Sequence, residues 1–373
     1  MRLLNVVTFV GTRPEIIRLS LLIKLLDKKT NHTLVHTGQN NDPLLSDVFF
    51  SDLGLRNPDK YLGITNETPA QAMAQTLVGA EKALQSSRPD AVVVLGDTNS
   101  AVAAIIARRM GIPVYHLEAG NRSFDENVPE EINRRLIDHV STFNLPYSEP
   151  ARRNLLAEGV NPRFICLSGS PLPEIIGHFS EAIDKSEILD ELQIASGQYF
   201  VASAHRQENV DSSTRLEELL SSLNMISEQY SKPIVFPVHP RTRKKLAGTS
   251  VALNPLVKLI EPLGYFDYLH LQKHSLCVLS DSGTISEESA ILGFRAVTIR
   301  DSMERPELLE TAGISMSGLE GDNILRAVNH QVTKEQNRDI PAEYRVGNFS
   351  ERVYMFIEST APRAGQWLGL RAN

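Results

Sequence analysis

The sequence predicts an α/β protein made of two doubly wound parallel-sheet domains. Three observations predict it. Apolar runs of strand length alternate with stretches of helix length, the mark of βαβ units and a parallel sheet. The alternation begins again after a segment rich in Gly, Ser and Pro, Ser168-Gly169-Ser170-Pro171-Leu172-Pro173. At 373 residues the chain exceeds what one hydrophobic core usually serves.

The first series opens with a strand of β-branched and aliphatic residues over 3–10, the turn Gly11-Thr12-Arg13-Pro14-Glu15, and helical periodicity over 16–26. No GxGxxG follows this strand, so a dinucleotide site of the usual kind is not supported. Arg13 stands where it can meet an anion at a helix N-terminus, or brace the turn; Arg18, a helical turn on, can share that duty or be solvated. A strand over 32–37 ends in Gly38-Gln39-Asn40, and a helix is expected over 69–86. The strand expected over 90–95 is apolar from Ala91 onward, as in a strand buried on both faces. It closes with Gly96-Asp97-Thr98-Asn99-Ser100 before a helix over 101–110. Asp97 suits either a helix N-cap or a general acid/base.

The strand over 112–117 leads to Glu118. Pro129 suits a first helical turn, which places Glu130 and Glu131 near that helix's positive end and Arg134 one turn along the same face as Glu130. With Arg122 and Arg135 alongside, this is either a salt-bridged surface helix or a working cluster. Its acids lie beyond the carboxyl ends of strands, where open α/β sheets bind ligands. A strand over 143–146, a helix over 150–159 and a strand over 163–167 complete the series.

In the second series a strand over 199–204 ends at His205-Arg206-Gln207-Glu208-Asn209, and a helix follows over 213–230. A strand over 233–238 ends at His239-Pro240-Arg241, and 257–260 is another. The strand over 276–280 runs into Asp281-Ser282-Gly283-Thr284 and a helix over 285–292 bearing Glu287 and Glu288. This junction suits a diphosphate: N–H groups at a helix start are unpaired, Gly283 permits close approach, and an acid one turn later can accept ribose hydroxyls. A strand over 296–299 reaches Arg300, with Glu304-Arg305-Pro306-Glu307 beyond. His205, Arg13, Arg241 and Arg305 thus stand at four loop ends.

Hydrophobic content of 42% and charged content of 22% are those of an ordinary globular protein. The formal net charge of -7 argues against nucleic acid and anionic membranes as partners. Cys166 and Cys277 lie in apolar runs and read as buried thiols, with neither a disulfide framework nor zinc spacing. The N-terminal stretch lacks a signal-peptide layout and no apolar run is long enough to span a bilayer, so a reducing cytoplasm is the expected compartment. No short-period repeat or low-complexity tract is present.

The segments GTRPEIIR, HTGQN, GDTNS, HLEAGNR, VPEEINRR, SAHRQEN, VHPR, SDSGTISEES and MERPE occur in that order. Together they resemble the non-hydrolysing UDP-N-acetylglucosamine 2-epimerase family, over about residues 3 to 360. The resemblance implies the GT-B architecture, two Rossmann-like domains facing a deep cleft. It implies a last helix, near 350–359, that returns to the first domain, giving 1–169 with 350–373 and 170–349. It also implies a UDP-linked 2-acetamido sugar as substrate, no cofactor and no metal, and a homodimer. The implied reaction inverts C2 without NAD. UDP leaves C1 as C2 loses its proton, and the 2-acetamidoglycal then takes back UDP and a proton on the other face.

Position by position, Asp97, Glu118 and Glu130 match the family's acid/base carboxylates and His205 its histidine near the diphosphate. Arg13 matches the phosphate-contacting arginine, Ser282, Gly283 and Thr284 the diphosphate cradle, and Glu288 the ribose-binding acid. Arg18, Arg134, His239 and Arg305 match substrate-side positions, Tyr268 the aromatic ring near the uracil, and Gln39 the loop facing the sugar. Which carboxylate is acid and which base is open at this stage. The chain departs from the broad family at Asn121, where leucine is usual, at Thr284, where a second glycine is usual, and at Arg18, where lysine is usual. Its segment between Arg122 and Pro129 is shorter, and the loop after Gln39 differs from that of enzymes activated by UDP-N-acetylglucosamine. GNRSFDENVPEE, SAHRQEN, YFDYLHLQ and SDSGTISEES look most like the branch that forms UDP-N-acetyl-L-fucosamine from UDP-2-acetamido-2,6-dideoxy-L-talose for capsule or O-antigen. A glycosyltransferase would share the nucleotide site but would not need three carboxylates at strand ends of the first domain. A non-enzymatic nucleotide-sugar sensor would not need the acids and His205 together.

Overall fold

The computed structural model describes residues 2–38, 50–64, 68–127, 129–238, 240–246, 248–335 and 339–370. The chain divides into two compact units, Met1–Ile175 with Val346–Asn373, and Ile176–Arg345. The first division falls within the helix Leu172–His178, which follows the Gly-, Ser- and Pro-rich segment.

The first unit holds a six-stranded sheet in the order β3-β2-β1-β4-β5-β6: β1 Asn5–Val10, β2 Asn31–His36, β3 Lys60–Tyr61, β4 Ala91–Leu95, β5 Val114–Leu117 and β6 Phe143–Leu145. Every pairing in it is parallel. β1, β4, β5 and β6 are buried almost end to end, as strands covered on both faces must be. Helices Pro69–Ser87 and Ala103–Arg109 bring Ala80, Ala83, Leu84 and Ala107 onto Val92, Val94 and Val114. The C-terminal helix Phe349–Trp367 packs against the helix Arg13–Lys29 and buries Phe349, Val353 and Ile357. The hydroxyls of Tyr115 and Thr360 meet at 2.7 Å.

The second unit holds β7 Phe200–Ser203, β8 Ile234–Pro237, β9 Val257–Ile260, β10 Cys277–Ser280, β11 Ala296–Thr298 and β12 Ser315–Met316, in the order β12-β11-β10-β7-β8-β9. All of its pairings are parallel too. Read from β7, this is the order of the first sheet, the Rossmann order 3-2-1-4-5-6. Each sheet therefore reverses direction once: between β1 and β4, and between β7 and β10. Loops leaving the carboxyl ends of strands diverge there, which opens a crevice for ligands.

Some expectations are corrected. Residues 163–167 do not form a strand. Pro162 starts a 3-10 turn over Pro162–Phe164, capped by the Asn161 side chain, and only Ile165 bridges to Asn144. The helix expected from residue 101 opens as a 3-10 turn, Asn99–Val102, before turning α-helical. Two-residue strands such as β3 and β12 are too short to leave a pattern. Both cysteines are free, but only Cys277 is fully buried, its thiol pushed up to about 12 by burial; Cys166 is half-buried. No helix among the described residues is long and apolar enough to cross a membrane.

Candidate active site

In the first unit the switch point gathers charge. Arg134, on the helix Pro129–Val140, donates to the carboxylate of Asp97 after β4 and to the backbone carbonyl of Glu118 after β5. The same guanidinium lies 3.3 Å from Glu118 Oε1, and Arg18 Nη1 lies 3.0 Å from Glu118 Oε2. Arg18, Glu118 and Arg134 are all buried. A carboxylate withdrawn from water needs cations, and Glu118 has one on each side. Its backbone is left-handed at φ 62, a conformation that costs a residue with a Cβ on the order of 1 kcal/mol. The two guanidiniums and the bonded carbonyl hold it there.

Asp97 is not the N-cap weighed from the sequence. Thr98 is, its side chain accepting from the Ser100 N–H, so Asp97 is left for other work. Asn133 Nδ2 donates to the Asp97 carbonyl at 3.0 Å. Arg13, the first residue of its helix, is half-buried, and burial lowers its guanidinium pKa. Glu130, one turn before Arg134 on the same helix, does not pair with it among the described residues. It is exposed and, among the described residues, makes no hydrogen bond or ion pair. Its neighbour Glu131 is the buried one, accepting from Ser123 N at 2.8 Å and lying 2.9 Å from Arg135 Nη2. The docking of this helix brings Arg134 to the turns after β4 and β5 and leaves Glu130 exposed in the first turn.

Beneath these turns runs a second network. His116 Nε2 is 2.7 Å from the Gly96 carbonyl, and its Nδ1 approaches Asp138 at 2.8 Å without hydrogen-bond alignment. Asp138 also accepts from Gly120 N and pairs with Arg122 at 2.7 Å, and Arg122 pairs with Glu158 at 2.6 Å. Burial works against charge on Asp138, but His116 and Arg122 outweigh it and hold the carboxyl below its usual range.

The second unit is organised by Asp281. Its buried carboxylate accepts from the N–H groups of His205 and Arg206 at 3.0 Å each, from Asn209 Nδ2 at 3.0 Å, and meets His205 Nδ1 at 2.9 Å. Burial opposes ionisation, yet His205 and these donors prevail and bring the carboxyl down to about 2. The rest of the His205 ring is turned to solvent, its side chain 61% exposed. In the next turn two of the N–H groups are bonded locally. Ser282 N–H goes to Ser280 Oγ at 3.0 Å and Thr284 N–H to Ser282 Oγ at 3.3 Å. Gly283 serves a different need. Its carbonyl accepts from Arg305, and a Cβ there would meet Arg305 Nη1 at 2.9 Å. Arg305 Nε lies 3.1 Å from Glu287, while Arg206 and Arg300 share Glu304 at 3.1 Å each. Glu288 is buried and accepts from Gln272 at 3.1 Å. Tyr268 is half-buried against the core, and burial, then the Glu288 charge, raises its phenol pKa.

Gln39 and His239 lie outside the described residues, as does the Arg241 side chain. Glu15, His116, Asp138 and Glu304 were not singled out from the sequence. Glu15 had a signal there, three residues after the helix-capping Thr12. Among the described residues no cluster of His, Cys, Asp or Glu could hold a metal ion.

The sequence model of the UDP-N-acetylglucosamine 2-epimerase family matches residues 24–358. The chain belongs to that family. Its members are isomerases, and relatives align nearly end to end. The UDP-N-acetylglucosamine 2-epimerase of Methanocaldococcus jannaschii is 36% identical over 93% of this chain and 97% of its own. The UDP-2,3-diacetamido-2,3-dideoxy-D-glucuronate 2-epimerase of Pseudomonas aeruginosa is 32% identical over 95% of this chain and 99% of its own. Among solved structures, the UDP-N-acetylglucosamine 2-epimerase of Rickettsia bellii superposes with a TM-score of 0.92 at 39% identity, over 99% of this chain and 100% of that one. The M. jannaschii enzyme in complex with UDP-GlcNAc and UDP gives 0.88 at 35%, over 95% and 99%. The kitacinnamycin glycotransferase, at 11% identity and 0.59, shares the epimerase fold alone.

Proposed function

We propose that this member of the family inverts C2 of a UDP-linked 2-acetamido sugar by elimination and re-addition of UDP. The observation that carries the reading is the alternating cluster Arg18–Glu118–Arg134–Asp97 at the switch point of the first sheet. The C2 proton is barely acidic, so its removal calls for a positioned carboxylate and a stabilised leaving group. In the forward half-reaction the base takes the C2 proton, the C2–H electron pair becomes the C1–C2 π bond, and UDP leaves C1 with the C1–O pair. The reverse half-reaction adds UDP at C1 and a proton to the opposite face of C2. Two faces need two proton-handling groups, and Asp97, Glu118 and the exposed Glu130 supply the candidates. Arg13, His205 and the Ser282–Thr284 turn with Arg305 are assigned to the diphosphate, Glu288 to the ribose and Tyr268 to the uracil.

For the sugar, the motif GNRSFDENVPEE and its companions favour UDP-2-acetamido-2,6-dideoxy-L-talose, with UDP-N-acetyl-L-fucosamine as product. UDP-N-acetylglucosamine is the second reading, favoured by the names of relatives at 36% and 37% identity. The test is incubation with each UDP-sugar in heavy water, read by mass spectrometry and NMR. The proposal expects deuterium at C2 of the product and no free sugar. Fast turnover of UDP-N-acetylglucosamine with none of the 6-deoxy-L-sugar would reverse the choice of sugar. Absence of C2 exchange with every 2-acetamido sugar would overturn the reaction.

A further inference from the structure

We infer that Glu15 is a positioning residue for this reaction, a buried carboxylate that ties the turn bearing Arg13 to the turn bearing Asp97. The inference rests on the C2-epimerase reading above. Glu15 occupies the third position of the helix Arg13–Lys29 and is 1% exposed. Its Oε2 accepts from the N–H groups of Gly11 at 2.6 Å and Thr12 at 2.9 Å. That much is half of a helix capping box, and a capping residue would stop there. Glu15 continues across the sheet. Its Oε1 accepts from the Thr98 hydroxyl, and the Ser100 hydroxyl lies 2.9 Å from both oxygens. Thr98 directly follows Asp97, and Gly11 and Thr12 directly precede Arg13.

β1 and β4 are neighbours at the switch point, so their turns emerge side by side. Both turns present donors toward the gap between them. A group that accepts on both oxygens serves the N–H side and the hydroxyl side together; an amide nitrogen there would oblige the Thr98 and Ser100 hydroxyls to turn from donating to accepting. Among the described residues no cation pairs with Glu15, and burial raises its pKa. A carboxylate buried on hydrogen bonds alone is costly, so a merely packed position would favour an apolar or amide side chain. What the carboxylate secures is the spacing of the phosphate-binding arginine and the acid/base aspartate. Errors of about 0.5 Å in such spacing matter to rate.

The test separates the two halves of Glu15. In Glu15→Gln the remaining carbonyl oxygen keeps Gly11 and Thr12, while the amide nitrogen faces Thr98 and Ser100. The Arg13 turn is retained, while the Thr98 and Ser100 hydroxyls must reverse from donating to accepting and the Asp97 turn shifts with them. Thr98→Val and Ser100→Ala remove the same bonds from the other side. Wild type is assayed first in heavy water with the UDP-sugar panel; failure of C2 exchange there counts against the reaction and not against Glu15. With the substrate in hand, Glu15→Gln and Thr98→Val should each lower kcat and the rate of C2 exchange at least about tenfold. KM and the affinity for UDP should stay within about threefold, and the Glu15→Gln/Thr98→Val double variant should resemble the worse single variant rather than the product of the two. If Glu15→Gln does not fold, the Thr98→Val and Ser100→Ala variants decide by the same split. Rates within about twofold of wild type, losses confined to melting temperature, or effects that multiply in the double variant would overturn the inference.

Discussion

Arg134 serves three acceptors with one planar group: the Asp97 carboxylate, the Glu118 carboxylate and the Glu118 carbonyl. Lysine would keep the charge but lose the fork, because an ammonium is a point charge on a flexible stem. Arg134→Lys should therefore lower kcat by at least about tenfold while the protein still folds, read by steady-state kinetics beside a melting curve. A near-native rate would mean that the charge alone matters. Arg18→Met removes one of the two cations on Glu118 and leaves a buried acid partly uncompensated. A loss on the order of 3 kcal/mol in urea unfolding is expected. Asp281 sets a pH dependence. Its folded pKa, about 2, lies below its ordinary value of 3.8, so its contribution to stability is fully present above pH ~4 and lost as pH falls toward ~2. Asp281→Asn should lower stability at neutral pH and flatten this acid limb, measured as urea midpoints across that window.

At the scale of elements, two glycines read alike in the sequence and differ in the fold. Gly96 has φ +69 and open space where a Cβ would go, so Gly96→Ala meets only backbone strain, about 1 kcal/mol. Gly120 has φ +80 and a Cβ there would lie 2.2 Å from the Ala151 carbonyl oxygen. Gly120→Ala should cost more than about 2 kcal/mol and displace the Glu118 turn, taking activity with it. Melting temperatures of the two variants check this, and equal losses would refute it. The contrast marks what the sequence can carry. The long apolar strands, the prolines at helix starts and the acids at strand ends were legible because they are local or periodic. Which of two adjacent acids turns inward was not: Glu130 and Glu131 are decided by how the helix Pro129–Val140 docks. Nor was the use of Gly283 to admit Arg305 from twenty-two positions along the chain.

Across the whole molecule the two sheets share one strand order, and each switch point is held by a buried carboxylate: Glu15 across the turns after β1 and β4, Asp281 across those after β7 and β10. The two units reach this by different routes. The second is one continuous stretch, Ile176–Arg345, with its own core on both faces of its sheet. The first is completed only by the C-terminal helix. Phe356 packs edge-on against Phe143 at 5.3 Å and Tyr115 at 6.0 Å, and Phe349 does the same to Tyr147 at 5.8 Å. A fragment of 176–345 should therefore fold alone, with one cooperative thermal transition. A fragment of 1–175 should expose that aromatic surface, bind a hydrophobic dye and melt without cooperativity, since uncovering several large apolar side chains costs roughly 2 kcal/mol each. Joining 346–373 to 1–175 through a flexible linker should restore the transition. Cooperative folding of 1–175 by itself would show that the returning helix is a cover and not part of the core.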